Sequence, residues 1–194
     1  MIAGLLLAAG RSRRFGADKL CAKLNGKAVI RWSAEALAEL DAVYVVIPPG
    51  ADAATQALSR LGARFVINLG RDEGMASSIR GGVAALPQDV QAVVIALADQ
   101  PCVSVEVIRQ LCERWGKGGA PAVVPEYRDG RGHPVLFGRE CFEALSELRG
   151  DAGARSVLDA LGGRVALMAV DDTMPADVDT PEALAALQGA TRKR

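Results

Sequence analysis

The start of the chain places an apolar run directly before a loop that is rich in positive charge. Residues 2–7 are uncharged and leucine-rich, residues 8–10 are small, and the loop continues to Lys19. An apolar run that ends at glycine is typical of a strand buried in a parallel sheet, although a buried helix gives the same pattern. The feature favours a fold in which a core strand presents a polar loop at its C-terminal end.

The loop after this run suits a ligand that carries phosphates. It holds four cations and one acid: Arg11, Arg13, Arg14 and Lys19 against Asp18. Backbone N–H groups in a glycine-bracketed turn, together with fixed positive charges, can bind a polyphosphate. A solvated basic turn is the alternative, but clustered cations repel one another unless an anion binds among them.

Two common nucleotide-binding motifs are absent from the sequence. Walker A requires G-x-x-x-x-G-K-[ST], whereas Gly16 is followed by two other residues before Lys19. The dinucleotide motif G-x-G-x-x-G is also missing, and the second predicted strand runs into the proline-rich stretch 47–50 rather than an acid for a ribose. The loop therefore indicates a phosphate site of a different kind.

Composition argues against several broad classes of function. Of the 194 residues, 50% are hydrophobic and 4% aromatic, and the 23 basic and 23 acidic residues give a net charge of zero. A charge-balanced chain is a poor candidate for a general nucleic-acid or membrane surface, although it can contain a local basic pocket. The length fits one domain, which we place at residues 1–190, with a frayed basic tail at 191–194.

The cysteines and the N-terminal segment predict a cytoplasmic protein. The four cysteines form no C-x-x-C pair and no zinc-binding spacing: Cys21, Cys102, Cys112 and Cys141. No secretory leader is visible, and the first apolar run is too short to span a bilayer. We therefore expect reduced thiols that serve as packing residues.

Strand and helix patterns alternate along the chain. Short apolar runs bounded by turn residues predict strands, and longer segments with apolar residues three or four apart predict helices. The predicted strands cover residues 2–7, 42–47, 64–67, 92–98, 122–125, 134–137 and 165–170. The predicted helices cover residues 29–40, 52–61, 75–83, 105–115, 139–148 and 156–161, with a last helix from Pro181. This alternation predicts a single α/β domain with a mostly parallel sheet.

Aspartates near the ends of predicted elements are candidates for a metal site. Asp99 follows the most apolar strand, whose C-terminal end is expected at the same sheet edge as the cationic loop. Mg²⁺ prefers oxygen ligands and is often held by one or two carboxylates together with substrate phosphates. Asp99 with Asp179 would meet that need, with turn formation and helix N-capping as their respective alternatives. Asp177 is expected to be solvated.

Two further features admit a structural and a functional interpretation. The segment 75–83 combines serines with Gly81 and Gly82, which disfavours a helix unless close packing or ligand contact compensates. His133 is the only histidine and lies in a glycine-rich loop, where exposure is the usual outcome. The spacing supports no Ser–His–Asp or Cys–His arrangement.

Several segments along the chain match the pattern of a known enzyme family. Residues 7–19 read L-A-A-G-x-S-x-R-F-G-x-x-K, and further matching segments are Gly74 with 78–82, 97–101, 131–137, 150–155 and 177–182. Together they are similar to the molybdenum cofactor cytidylyltransferases, a branch of the nucleotidyltransferase group. The segments 132–134 and 150–155 resemble the molybdopterin branch more narrowly. The resemblance implies a three-layer, Rossmann-like α/β domain.

The resemblance also implies roles for individual residues. Arg14 and Lys19 would be catalytic and hold the triphosphate, and Asp99 and Asp179 would hold Mg²⁺. The predicted nucleotide-binding residues are Leu7, Ala8, Ala9, Gly10, Arg11, Ser12, Gly74 and Ser78. The residues predicted to face the pterin are Gly132, His133, Asp151 and Arg155. The sequence Ala8-Ala9-Gly10 resembles the cytidylyl type, since the guanylyl relatives tend to carry a second glycine there.

The implied activity is transfer of CMP from CTP to the terminal phosphate of molybdopterin, with release of pyrophosphate. A molybdoenzyme or its maturation chaperone is a further implied partner. One alternative is guanylyl transfer, or transfer to a different phosphate acceptor. A second alternative, from another class, is a cofactor-binding delivery protein with little turnover. The Asp99 and Asp179 pair argues against a pure carrier, which has no need of a metal site.

Overall fold

The computed structural model describes residues 1–10, 15, 18–151 and 153–191. Its strands are β1 (Ile2–Leu7), β2 (Lys23–Leu24), β3 (Lys27–Ala28), β4 (Ala42–Ile47), β5 (Arg64–Ile67), β6 (Ala92–Leu97), β7 (Ala122–Tyr127), β8 (Gly130–Arg131), β9 (Val135–Gly138) and β10 (Val165–Ala169). Its α-helices are α1 (Val29–Ala36), α2 (Asp52–Leu58), α3 (Met75–Ala84), α4 (Val105–Gly116), α5 (Phe142–Ser146), α6 (Arg155–Leu161) and α7 (Pro181–Thr191). Most of the predicted tail, residues 192–194, lies outside the described residues.

One mostly parallel sheet organises the chain. Its strands lie in the order β10-β7-β9-β6-β1-β4-β5, with β8 paired to β7. The pairs β1–β4, β1–β6, β4–β5 and β7–β10 are parallel, whereas β9 runs antiparallel between β6 and β7. The predicted α/β class with a mostly parallel sheet is confirmed. The antiparallel β9 was not predicted, because an apolar run carries no information on strand direction.

Helices cover both faces of the sheet, so the domain has three layers. Buried residues of α1, α2 and α4, with partly buried residues of α7, form one apolar cluster, and those of α3, α5 and α6 form the other. In β1, Leu6 belongs to the first cluster and Leu5 to the second, and both are fully buried. Successive side chains of a strand point to opposite faces, so a strand covered on both sides must be apolar at every position.

The close approach of α3 to β1 depends on a glycine. A Cβ atom at Gly82 would lie 2.4 Å from Cδ1 of Leu5, whereas a Cβ at Gly81 would meet nothing within 4 Å. Close packing therefore accounts for Gly82 but not for Gly81. This packing sets α3 directly against the first strand.

The structure corrects several predicted boundaries. The chain after α1 continues in tighter turns, with Leu37 and Leu40 donating to carbonyls three residues back, so the helix ends before residue 40. The helix predicted at 52–61 begins at Asp52, with Ala51 in the N-cap position, and ends at Leu58. The predicted helix at 139–148 divides into a 3₁₀ turn and the short α5. The β2–β3 hairpin and β8 are two-residue strands, too short for periodicity to detect.

Cysteine chemistry and membrane insertion receive no support from the described part of the chain. Burial raises the pKa of Cys21 to about 12 and that of Cys141 to about 11. Thiols with raised pKa values are poor nucleophiles at neutral pH. None of the described helices has the length and apolar character that crossing a membrane requires.

Candidate active site

A cleft of about 430 Å³ opens at the C-terminal edge of the parallel strands. Small-molecule sites commonly measure about 300–1,000 Å³ and occur at this edge of α/β sheets. The described residues that line it are Leu7, Ala9, Gly10, Arg71, Asp72, Gly74, Met75, Ser78, Leu97, Asp99 and Asp151. They come from the ends of β1 and β6, from the segment between β5 and α3, from the start of α3, and from the loop before α6.

The end of β1 contributes the first wall of the cleft. Ala9 and Gly10 line it, whereas Ala8 packs in the cluster formed by α1, α2 and α4 and donates its N–H to the carbonyl of Val46 (2.8 Å). Of the small residues predicted to border the nucleotide, the structure therefore places two at the cleft and one in the core. Three other predicted loop residues lie outside the described residues: Arg11, Ser12 and Arg14.

The start of α3 forms the second wall, held by the loop before α6. Gly74 has φ +92°, and a Cβ there would lie 2.2 Å from Oδ1 of Asp151, so the position requires glycine. The N–H of Met75 donates to the same carboxylate oxygen (3.3 Å), and the N–H of Ala76 donates to the carbonyl of Gly150 (3.0 Å). These contacts bring Asp151, predicted to face the pterin, to the wall that also carries Gly74 and Ser78.

A buried hydrogen-bond network stands behind this wall. Nδ2 of Asn68 donates to the hydroxyl oxygens of Ser77 (2.8 Å) and Ser78 (2.9 Å). The Ser77 hydroxyl donates to the carbonyl of Gly74 (2.8 Å), and the N–H of Gly70 donates to Oδ1 of Asn68 (2.9 Å). The network ties the end of β5 to the first turn of α3, so the predicted residue Ser78 is rigidly placed.

Lys19 joins the two aspartates predicted to bind metal. Its Nζ lies 2.6 Å from Oδ2 of Asp99 and 2.8 Å from Oδ1 of Asp179, and its side chain is only 9% exposed. Burial lowers the pKa of Lys19, but the hydrogen bonds to Asp179 and Asp99 outweigh that effect, so the pKa lies above its ordinary value. Lys19 therefore stays charged at neutral pH. The structure brings together Asp99 and Asp179 around a single cation.

The segment before α7 is fixed against the end of β6. The N–H of Val178 donates to the carbonyl of Asp99 (2.8 Å), and the Val178 side chain is fully buried. The hydroxyl of Thr180 accepts from the N–H of Ala183 (3.2 Å), so Thr180 supplies the side-chain cap of α7. The Asp179 carboxylate is therefore not required for capping and is directed to Lys19.

The other residues predicted to face the pterin are not part of the described cleft lining. They are Gly132, His133 and Arg155, and Arg155 is exposed at the first turn of α6. His133 is partly buried rather than exposed as predicted, and the hydroxyl of Tyr127 donates to its carbonyl (2.9 Å). Burial lowers the pKa of His133, partly opposed by the charge of Asp99, so the imidazole is neutral at pH 7.

Three residues that the sequence analysis did not single out also belong to the site. Arg71 and Asp72 line the cleft, and Asn68 supports its wall. Nη2 of Arg71 lies 3.5 Å from the carbonyl of Gly10, and its Nε is buried without a hydrogen-bond partner among the described residues. Their position in the sequence could have identified them, because the segment 68–74 follows β5 at the sheet edge where β1 and β6 end.

The acid pair fits a divalent cation. Two carboxylate oxygens already meet at one positive charge, and carboxylate oxygen is the ligand type that Mg²⁺ prefers. No group of three or more His, Cys, Asp or Glu side chains in the described ranges is arranged to hold a metal ion. A metal here would thus complete its coordination with water and with the phosphates of a ligand, as Mg²⁺ commonly does.

A Rossmann-like sheet, a small-residue turn after its first strand and an acid pair around a lysine define a nucleotide-binding α/β enzyme. The chain belongs to the family of the MobA-like NTP transferase domain, whose model matches residues 4–165. It is therefore a nucleotidyltransferase.

The chain is also similar to individual proteins and solved structures. The purine catabolism protein PucB of Bacillus subtilis is 31% identical, over 92% of each chain. A probable molybdenum cofactor guanylyltransferase of Thermococcus gammatolerans is 30% identical, over 68% of this chain and 66% of its own. The crystal structure of Rv0371c from Mycobacterium tuberculosis superposes with a TM-score of 0.86 at 29% identity, covering 97% of both chains. A manganese complex of Rv0371c superposes with a TM-score of 0.82 at 28% identity, covering 97% of this chain and 98% of that one.

Proposed function

We propose that this nucleotidyltransferase transfers CMP from CTP to the terminal phosphate of molybdopterin and releases pyrophosphate. The observation that carries the proposal is the convergence of Asp99 and Asp179 on Lys19, beside a cleft of about 430 Å³. The acceptor is supported by the segments at 132–134 and 150–155 and by the name of the Thermococcus relative. The proposal makes a molybdoenzyme, or the chaperone that matures it, the recipient of the product.

The proposed reaction needs no general base. A phosphate monoester is already ionised at neutral pH, so its oxygen attacks the α-phosphorus of the nucleotide while the bond to the β-phosphate oxygen breaks and pyrophosphate leaves. Asp99 and Asp179 would hold a divalent cation, which supplies charge neutralisation at the phosphates. Lys19 contributes a fixed positive charge, and the predicted role of Arg14 is the same. The manganese bound to Rv0371c supports a divalent metal in this role.

Cytosine as the base is supported by Ala9. The residue is among those that line the cleft, where a glycine would leave more room. A narrower space suits a pyrimidine better than a purine. GTP is the second candidate, because the Thermococcus relative is named as a guanylyltransferase.

Pyrophosphate release tests the proposal directly. The purified protein is incubated with Mg²⁺, molybdopterin and one nucleotide at a time (CTP, GTP, ATP or UTP), and the rates of pyrophosphate release are compared. Release that depends on the pterin and is strongest with CTP supports the full proposal. Release with GTP alone would assign guanine, instead of cytosine, as the base that the enzyme selects. Pterin binding without release from any nucleotide favours a delivery protein.

A substitution at Ala9 tests the origin of base preference. Ala9→Gly should raise kcat/KM for GTP relative to CTP by about tenfold, since a lost methylene-sized contact is worth about 1–3 kcal/mol. Ala8→Gly is the matched control, because Ala8 is not among the described residues that line the cleft and its change should leave the ratio unchanged. An unchanged ratio in Ala9→Gly would show that base choice is made elsewhere.

A further inference from the structure

Asn68 lies behind the cleft wall, yet it controls what the wall presents to a ligand. The residue is 6% exposed and follows β5 directly. The backbone N–H of Gly70 donates to Oδ1 of Asn68, which fixes the side of the amide that carries the oxygen. The NH₂ group must therefore point at the two serines of α3, and it donates one hydrogen to each.

The hydroxyl hydrogens of the two serines have different fates. Ser77 accepts from Asn68 and donates to the carbonyl of Gly74, so its hydrogen is used within the wall. Ser78 also accepts from Asn68, but its own hydrogen has no acceptor among the residues that the structure describes. Ser78 lines the cleft and is only 6% exposed. A buried O–H group without an acceptor raises the free energy of the protein. A ligand that places an acceptor atom against this wall would remove that cost.

The position of Ser78 indicates which part of a nucleotide supplies the acceptor. Lys19 and the acid pair lie by the end of β6, which suits the phosphates, whereas Ser78 lies on α3 at the wall between β1 and the loop before α6. The nucleoside is then the part of the ligand that reaches Ser78. Both cytosine and guanine carry a carbonyl oxygen, so the same hydroxyl can serve either base.

We propose, on the basis of the function proposed above, that Asn68 is a positioning residue for nucleoside recognition. By donating to the Ser78 oxygen, Asn68 keeps the Ser78 hydrogen directed into the cleft, where it is donated to a carbonyl oxygen of the base. Ser78 makes the contact and Asn68 sets its direction.

Asn68→Asp reverses this direction with little change in shape. The new carboxylate still accepts from the N–H of Gly70, so the turn after β5 is kept. It has no hydrogens to donate to the serines, and the Ser78 hydroxyl then turns its hydrogen toward the carboxylate. Ser78→Ala removes the contact itself. Ser77→Ala is the matched control, because Ser77 shares the bond to Asn68 but is not among the described lining residues of the cleft.

The test is a double-mutant cycle on nucleotide binding. Isothermal titration calorimetry without the pterin measures the Kd of Mg²⁺-CTP and Mg²⁺-GTP, and the nucleotide that wild type binds more tightly is used for all variants. We expect about a tenfold higher Kd in Asn68→Asp and in Ser78→Ala, and no further loss in the double variant. Ser77→Ala should stay within about twofold. In turnover, Asn68→Asp should raise KM with little change in kcat.

Three outcomes would overturn the inference. Nucleotide binding by Asn68→Asp at the wild-type Kd removes Asn68 from recognition while leaving the proposed function intact. Losses that multiply in the double variant show that the two residues act independently. Wild type that binds neither nucleotide removes the proposed function and this inference with it. If Asn68→Asp does not fold, Asn68→Ala in the same cycle gives the answer, since it removes both donors without adding charge.

Discussion

At the residue scale, the site depends on charges that segments distant in sequence bring together. Lys19 follows the first strand, Asp99 follows β6, and Asp179 precedes α7, yet the three charged groups meet within hydrogen-bonding distance. Two carboxylate oxygens from separate segments converge at this point. Carboxylate oxygen is the ligand type that Mg²⁺ prefers, which is the reason to propose the pair as a metal site.

Substitutions at the two late aspartates should separate their roles. Asp179→Asn should lower kcat by about a hundredfold or more, because it removes a charge from the candidate metal site. Asp177→Asn should change kcat by less than about threefold, because Asp177 accepts from Nε2 of Gln100 (2.8 Å) and an amide oxygen keeps that bond. Pyrophosphate release with each variant measures both effects. Equal losses in the two variants would contradict the assignment of Asp179.

The buried imidazole of His133 should make stability depend on pH. Burial holds the pKa of His133 in the folded protein below its ordinary value of 6.5, and the nearby charge of Asp99 only partly opposes this. As the pH falls through 6.5, the unfolded chain takes up the proton first, so the free energy of unfolding decreases until the folded pKa is reached.

Urea unfolding at pH 7.5, 6.5 and 5.5 measures this dependence. His133→Gln cannot take up the proton, so its stability should change less than that of wild type between pH 7.5 and 5.5. Parallel pH profiles for the two proteins would show that another group is responsible.

At the element scale, the close packing of α3 on β1 depends on the absence of a side chain at Gly82. Gly82→Ala should destabilise the protein by about 1–3 kcal/mol, because the added methyl group would lie 2.4 Å from Cδ1 of the buried Leu5. Gly81→Ala should instead stabilise it by about 1 kcal/mol, because its Cβ meets open space and alanine favours a helix. Thermal unfolding of the two variants gives opposite shifts in Tm. Shifts of the same sign would mean that α3 can move away from β1.

At the scale of the whole molecule, the sheet should differ in stability from centre to edge. β1 is paired on both sides and its interior side chains are fully buried, whereas β5 ends the strand order and exposes Phe65 (37%) and Ile67 (60%). Amide hydrogens of β1 and β6 should therefore exchange at least tenfold more slowly than those of β5. Hydrogen exchange followed by mass spectrometry measures this. Equal protection of β5 would indicate that its edge is covered in solution.

The sequence predicted the central strands well because their signals are local. The bounds of β4 and β5 match the predicted runs, and β1 begins at the predicted residue. Asp99 was expected at this edge because it follows a strand, whereas Asp179 follows no strand and its pairing with Asp99 was an expectation drawn from the family resemblance. The contact of Asp151 with Gly74 was not predicted, nor was the bond of Asn68 to Ser78. Both depend on the three-dimensional placement of α3, which periodicity does not encode.

The hydrogen bond from Val178 to Asp99 has a consequence for the biosynthesis of the protein. The family model ends at residue 165, and Asp179 is added to the growing chain after every strand of the sheet. A nascent or prematurely terminated chain can contain every described strand of the sheet together with Lys19 and Asp99, yet lack Asp179 and the Val178 segment that fixes it against the end of β6. Translation therefore delivers the second carboxylate last, and a product that stops short of it would lack one of the two carboxylates of the candidate metal site.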